Sequence, residues 1–522
     1  MGRGDCPRRV VGAGVRRFHE ASGSGESYSP AEDLFNRRRR TAGLVLGPLL
    51  AITMLLLPMP GLSEAAHRLS AVIVLMIVLW MTEAIPLAAT ALLGPTLVVL
   101  LGIAPVRVAY GPFADPIIFL FIGSFILAEA MFVHRLDRRM AFSALASPWI
   151  GSSALRLVMV YAGVSAGLSM WMSNTATTAM FFPLGMAVLA ELGRGRNNDP
   201  AFQRFALAMM LVTSFAASIG GMATPVGTPP NLIGKGLLLK NAGIDISFAG
   251  WMAFGVPLVI IMMGVVAVWM LYPAAKGVQL SARATEGVRD QLKALGAMTT
   301  GERNVVIAFG LTVFLWTLPG LFALVLGQTH AATARLTVLL PEAVAAILGA
   351  LLLFVLPVSW RARKFTLTWE QASHIDWGII LLFGGGLAMG GLADSTGLAD
   401  AFGRWVVGHV PGAGPVGLTL VFTAVAILMS EAASNTAAAT VVVPTAIAVA
   451  TAAGVSPLEP ALGATFGASM GFMMPISTPP NAIVYSSGYI PIGAMMRYGV
   501  VLDVIGYIVI VIGVLSFGWV VR

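Results

Sequence analysis

The sequence predicts an all-α polytopic membrane protein whose two halves enter the bilayer in opposite senses. Three observations carry that fold class. Of the 522 residues, 57% are hydrophobic and only 11% charged, with a mean hydropathy of +0.86, which no soluble globular composition matches. Apolar runs near the roughly 20 residues that a helix needs to cross a bilayer recur from residue 41 onward, without the ten-residue alternation of an outer-membrane barrel. Polar motifs inside those runs return at a fixed spacing.

Residues 1–40 carry nine arginines, including "RRRR" at 37–40, and read as a basic, disordered cytoplasmic tail able to touch anionic lipid heads. Asp5, Glu20, Glu26, Glu32 and Asp33, with no apolar core between them, argue against a cleaved targeting peptide. The single cysteine, Cys6, leaves no intrachain disulfide framework. The net charge of +8 sits in this tail and in certain loops, so the positive-inside rule explains it better than nucleic acid does.

Apolar segments follow near 41–60, 68–86, 88–104, 116–133, 155–192, 205–240, 250–272, 303–326, 337–357, 377–398, 416–453, 461–490 and 497–520. Two of them, 155–192 and 416–453, are too long for one helix and are interrupted by polar residues. Each fits two spans, one tilted helix, or a hairpin that returns to its own side. With 155–192 as a hairpin, Arg135, Arg138, Arg139, Arg194, Arg196 and Arg204 share the side of the tail. Lys276, Arg283, Arg289 and Lys293, then Arg361, Arg363 and Lys364, fall on that side too. Two full crossings fit these charges equally well. The hairpin also lets the polar turn stop at mid-bilayer, and it is the reading adopted, giving about 11 transmembrane helices and two re-entrant helical hairpins.

The internal repetition is the most informative feature. Asp115 and Asp376 open apolar segments, and Gly123 and Gly384 follow each at the same distance. Ser169, Ser173, Asn174, Thr175, Ala176 and Pro183 return 261 residues later as Ser430, Ser434, Asn435, Thr436, Ala437 and Pro444. Gly221, Pro225, Thr228, Pro229, Pro230 and Asn231 return at an offset of 250 as Gly471, Pro475, Thr478, Pro479, Pro480 and Asn481. The predicted topology puts five crossings between Asp115 and Asp376, so the second copy is inverted. Inverted repeats with interrupted helices at matching positions mark an inverted-repeat transporter, with its site at the repeat interface.

The chemistry of the paired motifs agrees. In "SMWMSNT" (169–175) and "SEAASNT" (430–436), the Ser-Asn-Thr triplet ends one helical arm and starts the next. The tip offers free carbonyls from the ending helix and free N–H groups from the starting one. The former suit a small hard cation, the latter an anion, and Ser169 or Ser430, one turn back, adds an oxygen. In "VGTPPN" (226–231) and "ISTPPN" (476–481), Thr-Pro-Pro cannot continue a helix but starts one well, with Thr as the cap. Each therefore reads as half-helix, unwound link, half-helix. No Arg or Lys falls in a tip or link. Lys235, one turn beyond Asn231, is assigned to snorkel to the outer interface. An anion here is held by amides, hydroxyls, helix dipoles and bound cations, which couples the two.

Glu431 resembles a proton carrier, but its counterpart in the first repeat is Met170, which favours a structural or tuning role. Glu83, Glu129 and Asp503 are placed near segment ends or helix contacts. "GASMG" (467–471) lacks the strand context of a nucleophile elbow, and the six histidines lack metal-ligand spacing. No acid/base, metal or nucleophile constellation points to an enzyme. "FGGGLAMGG" (383–391) reads as close helix packing.

The paired SNT and TPPN motifs, with "TEAIPLAATALL" (82–93) and "GFMMPISTPPNAIVY" (471–485), resemble the divalent anion/sodium symporter family, over roughly 41–522. That resemblance implies one sodium site from Ser169, Ser173, Asn174 and the Gly227 backbone, and another from Ser430, Ala433, Asn435 and the Ser477 backbone. It implies a divalent anion between them, touching Asn174, Thr175, Thr228, Pro229, Asn435, Thr436, Thr478 and Pro479. It also implies a homodimer in which a transport domain moves against a scaffold in an elevator-like motion. On that plan residues 41–152 and 303–410 are the scaffold helices of the two repeats. Residues 153–272 and 411–522 hold the transport elements, and 273–302 is a cytoplasmic loop. The expected activity is sodium-coupled symport, by alternating access across the cytoplasmic membrane, of a C4-dicarboxylate such as succinate, malate or fumarate. At least two Na⁺ would accompany it, and the N-terminus would be cytoplasmic. The alternative is a dicarboxylate exchanger or a sulfate or citrate carrier of the same fold. The expected partners are the anion, sodium, membrane lipid and a second copy, with no nucleic acid.

Overall fold

The computed structural model describes residues 30–194, 199–280, 282–327, 330–409 and 414–518. The expectations for residues 1–29, Cys6 and the acidic residues among them included, and for Arg196, lie outside the described residues. Among the described residues the regular structure is helical, apart from one short antiparallel β-hairpin that pairs Pro357–Ser359 with Lys364–Phe365 and an isolated bridge between Ser153 and Gln279.

The first helix runs Pro30–Leu56, so the tail expected over residues 1–40 is helical from residue 30 onward. The basic cluster 37–40 is the opening of a helix that packs along Glu64–Thr82. Composition alone reads such a cluster as tail, because charge hides the helix that tertiary contacts support. Asp115 and Asp376, matched in the repeat, are both helix caps. Asp115 accepts from the Ile117 N–H at 3.1 Å and Asp376 from the Ile379 N–H at 3.2 Å, starting Pro116–Val133 and Trp377–Ser395.

Both long interrupted runs fold as pairs of arms packed against one another. The first hairpin is Ala154–Ser169 and Asn174–Leu192, and the second is Pro415–Ala432 and Asn435–Ala452. Each second arm keeps its repeated proline, Pro183 or Pro444. The broken helices are Pro200–Gly221 with Pro229–Ala242, and Leu458–Gly467 with Pro479–Tyr485. Among the described residues, eleven helices are long and apolar enough to cross a membrane. These include the arms Asn174–Leu192, Pro415–Ala432 and Asn435–Ala452, while Leu87–Leu100 and Ala154–Ser169 are shorter. Length does not separate a crossing from an arm.

Two expectations change. The segment 337–357 is two helices, Ala331–Leu339 and Glu342–Val355, bent by 54° where Pro341 begins the second. The loop 273–302 contains a helix, Ala282–Ala294. The glycine run 383–391 is close packing, as expected: a methyl group at Gly385 would stand 2.6 Å from the Ala91 carbonyl oxygen, and one at Gly386 2.7 Å from Thr440 Cγ2.

The repeats interlock. Pro229–Ala242 packs on the second hairpin's Asn435–Ala452, and Pro479–Tyr485 packs on Asn174–Leu192 and Pro200–Gly221. Each half-helix beyond a proline break thus lies against the other repeat's hairpin or broken helix. Ser214 seals one junction by donating its hydroxyl to Asn481 Oδ1.

Candidate functional site

Both hairpin tips are built alike. Ser173 and Ser434 take extended backbone geometry and accept the N–H groups of Ala176 and Ala437, each at 3.2 Å. The capped helix begins at the asparagine. One turn back, Ser169 donates to Asn174 Oδ1 at 2.8 Å and Ser430 to Asn435 Oδ1 at 2.7 Å. The duplicated serine–asparagine pair read from the sequence is therefore a duplicated contact.

Both links are also clamped alike. Asn231 Nδ2 donates to the carbonyls of Gly221 at 2.9 Å and Thr224 at 2.7 Å. Asn481 Nδ2 donates to the equivalent carbonyls of Gly471 at 2.9 Å and Met474 at 3.0 Å. Thr228 and Thr478 share one backbone conformation, with φ of −147° and −146°. Irregular backbone at membrane depth needs such internal partners. The TPPN asparagine, for which the sequence reading named no role, is the residue that holds the chain open there.

The clamp brings a glycine of each broken helix onto the tip. A methyl group at Gly221 would lie 2.4 Å from Asn174 Oδ1 and 3.1 Å from the Gly227 carbonyl oxygen. One at Gly471 would lie 3.1 Å from both Asn435 Oδ1 and Ser430 Oγ. Each tip therefore gathers side-chain oxygens against bare backbone, in close contact that a larger residue at the glycine would disturb. The first cluster joins Ser169, Asn174 and Gly227 around Gly221, and the second joins Ser430 and Asn435 around Gly471. Uncharged oxygens gathered this way suit a hard monovalent cation.

Not every predicted residue joins in. Ser173 and Thr175 are exposed, and Ser173 uses its hydroxyl as the cap. Ala433 is buried in extended conformation. Thr478 accepts the Asn481 N–H at 3.4 Å, but Thr228 makes no side-chain cap, so the expected threonine cap holds in one repeat only. A cleft of about 460 Å³ reaches the second half-site, where Ser434, Ser477, Thr478 and Pro479 line it. Asn174, Thr175, Thr228 and Pro229 are not among its walls. Asn435 and Thr436 are half-buried, and Thr436 gives its carbonyl to the Thr440 hydroxyl at 2.8 Å.

The one-sided residues of the repeat explain each other. In the first repeat the Met170 carbonyl accepts the Thr224 hydroxyl at 2.5 Å, and a methyl group at Gly227 would stand 2.9 Å from that carbonyl oxygen. In the second, Glu431 replaces Met170 and Ser477 replaces Gly227. Glu431 Oε1 accepts the N–H groups of Phe472 at 2.5 Å and Met473 at 2.8 Å, and Oε2 accepts the Ser477 hydroxyl at 2.5 Å. Glu431 thus ties tip to link. Asp503, expected near a segment end or a helix contact, sits at a helix contact. It is buried in the middle of Ile492–Phe517 and lies against Glu431.

Lys235 does not snorkel. It is buried and pairs with Glu342, whose other oxygen accepts the Phe248 N–H at 2.6 Å. A partner 107 residues away was invisible to local reading. No Arg or Lys comes from the tips or links themselves, but Arg39 and Arg40, from outside the repeats, line the cleft.

The chain matches the sodium:sulfate symporter transmembrane region over residues 39–522. It is 34% identical over 478 residues to a sodium-dependent dicarboxylate transporter, SdcS, of Staphylococcus saprophyticus, with 90% of each chain covered. It is likewise 34% identical over 476 residues to SdcS of Staphylococcus aureus USA300, covering 90% of this chain and 89% of that one. Among solved structures, the YdaH transporter of Alcanivorax borkumensis superposes with a TM-score of 0.51 at 15% identity, covering 94% of this chain and 99% of that one. The MtrF structure of Neisseria gonorrhoeae gives 0.51 at 12% identity, covering 87% and 95%. The two structural likenesses speak to the fold alone.

Proposed function

The chain belongs to the sodium:sulfate symporter family, and from that premise we propose that it imports a C4-dicarboxylate such as succinate, malate or fumarate together with at least two sodium ions. The observation that carries this reading is the duplicated oxygen cluster. Ser169 with Asn174 and Ser430 with Asn435 supply two oxygen clusters of one design, which support a reading as two cation sites, and the N–H groups that open Asn174–Leu192 and Asn435–Ala452 lie beside them. Each cation neutralises one carboxylate of a dianion that amides and hydroxyls alone hold weakly. The relatives' printed substrate, a dicarboxylate, supports the same choice.

The interlocked repeats suit alternating access, in which one set of elements moves against the other around the site. The protein works as a homodimer in the cytoplasmic membrane with its N-terminus inside. Two Na⁺ with a dianion move no net charge. A third would add a contribution of about 2.3 kcal/mol per 100 mV of membrane potential.

Uptake of labelled succinate into proteoliposomes under Na⁺, K⁺ or proton gradients tests the proposal. Na⁺-driven uptake is expected, and uptake that ignores Na⁺ rejects symport. Competition by sulfate or citrate that exceeds competition by malate and fumarate moves the substrate to the family's other anions.

A further inference from the structure

The N-terminal helix lies outside both repeats, yet it places a guanidinium at the second half-site. Arg39 Nη1 donates to the Ala432 carbonyl at 3.2 Å, at the end of the second hairpin's first arm. Its Nη2 donates to Glu83 Oε2 at 3.1 Å. Glu83 ends the helix Glu64–Thr82 in left-handed backbone, at φ 47°, a conformation that side chains other than glycine seldom adopt. The third donor, Nε, is buried without a partner. Arg39 and Glu83 form one wall of the cleft of about 460 Å³ whose other wall is Ser434, Ser477, Thr478 and Pro479. A volume of this order suits a small-molecule ligand.

A guanidinium recognises a carboxylate best through two parallel N–H groups. The Nε–Nη2 edge of Arg39 is such a pair, and Glu83 uses only half of it. A free carboxylate able to approach squarely satisfies both donors, whereas Glu83 meets only Nη2. We propose that Arg39 is a specificity-determining receptor for one carboxylate of the arriving dianion, which it exchanges for the tethered carboxylate of Glu83. Arg40 on the same wall adds to the attraction. The bond to the Ala432 carbonyl links this exchange to the tip three residues before Asn435. The inference rests on the proposed dicarboxylate substrate.

A purely structural clip between Arg39 and Glu83 predicts that removing either side chain harms transport alike. A receptor with a built-in competitor predicts opposite signs. In proteoliposomes, Arg39→Gln is expected to raise the KM for succinate about tenfold, the loss of one charge-assisted pair. Glu83→Gln is expected to lower it about threefold by freeing the guanidinium. The half-saturation for Na⁺ moves less than about twofold in both. Arg39→Lys, which keeps the charge without the fork, falls between wild type and Arg39→Gln. Shifts of the same sign, or a KM unchanged in Glu83→Gln, overturn the inference. If Arg39→Gln is not recovered as a monodisperse protein, Glu83→Gln decides alone. Absence of Na⁺-dependent succinate uptake by the wild-type protein rejects the proposed function and this inference with it. Intact wild-type uptake with shifts of equal sign rejects the inference alone.

Discussion

Ser430 donates its hydroxyl to Asn435 Oδ1 at 2.7 Å and shares the same proton with the Ala468 carbonyl at 2.9 Å. The contact fixes the asparagine oxygen at the point where the hairpin tip meets Gly471. Ser430→Ala removes one oxygen from the cluster and one constraint on the amide, without opening space in the helix. Sodium half-saturation should rise about tenfold, roughly the worth of one such hydrogen bond, and the thermal midpoint should fall modestly, because the Asn435 and Ala468 oxygens lose their donor. Asn435→Ala should abolish uptake in a protein that still extracts and runs as a single species. Normal transport by that variant would reject the site.

The two glycines facing the tips are not equivalent, and the difference is measurable. A methyl group at Gly221 meets Asn174 Oδ1 at 2.4 Å, inside any allowed contact, whereas at Gly471 the nearest oxygens stand at 3.1 Å. Gly221→Ala must displace Asn174 and should abolish sodium-dependent uptake. Gly471→Ala needs a shift of tenths of an ångström, so it should retain transport with weakened sodium dependence. Sodium titrations of both variants in proteoliposomes check the order. Equal effects would show that the clusters tolerate the same crowding.

How much of this was legible follows from where the information lies. Ser169, Asn174, Ser430 and Asn435 stand out because polar residues are costly in apolar runs and because they recur at one offset. The caps Asp115 and Asp376 are legible for the same reason. Gly221 and Gly471 were visible as repeated letters, but their role depends on a side chain at the tip of the preceding hairpin. The place of Lys235 is not legible because its partner Glu342 is supplied by another helix. Arg39 reads as tail because basic composition resembles disorder until a neighbouring helix gives it contacts.

The Lys235–Glu342 pair joins the half-helix after the first proline break to the bent segment beyond Pro341. Lys235 is buried and Glu342 half-buried, so removing the lysine leaves a carboxylate held only by the Phe248 N–H. Lys235→Met should destabilise the protein by about 1–3 kcal/mol, the loss of a charge-assisted hydrogen bond. The double variant Lys235→Met with Glu342→Gln should recover part of that loss. Thermal unfolding in detergent tests this, and a double variant no more stable than the single one would refute it.

Glu431 and Ser477 replace Met170 and Gly227 of the first repeat as a matched set, and that set makes a sharper prediction than either residue alone. The Glu431 carboxylate accepts three hydrogen bonds, from Phe472, Met473 and Ser477. Glu431→Met strands the Phe472 and Met473 N–H groups, each at a cost of about 1–3 kcal/mol, and leaves the Ser477 hydroxyl only the backbone carbonyl of residue 431 at 3.2 Å, so it should sharply lower stability and transport. Ser477→Gly removes the donor that has lost its carboxylate partner and restores the first repeat's pairing, in which glycine lies against the tip carbonyl. The double variant should therefore be more stable than Glu431→Met, with a coupling of about 1–2 kcal/mol in a double-mutant cycle. Glu431→Gln, which keeps one acceptor oxygen, should fall between wild type and Glu431→Met. Additive effects would mean that the two substitutions arose independently of the contact between them.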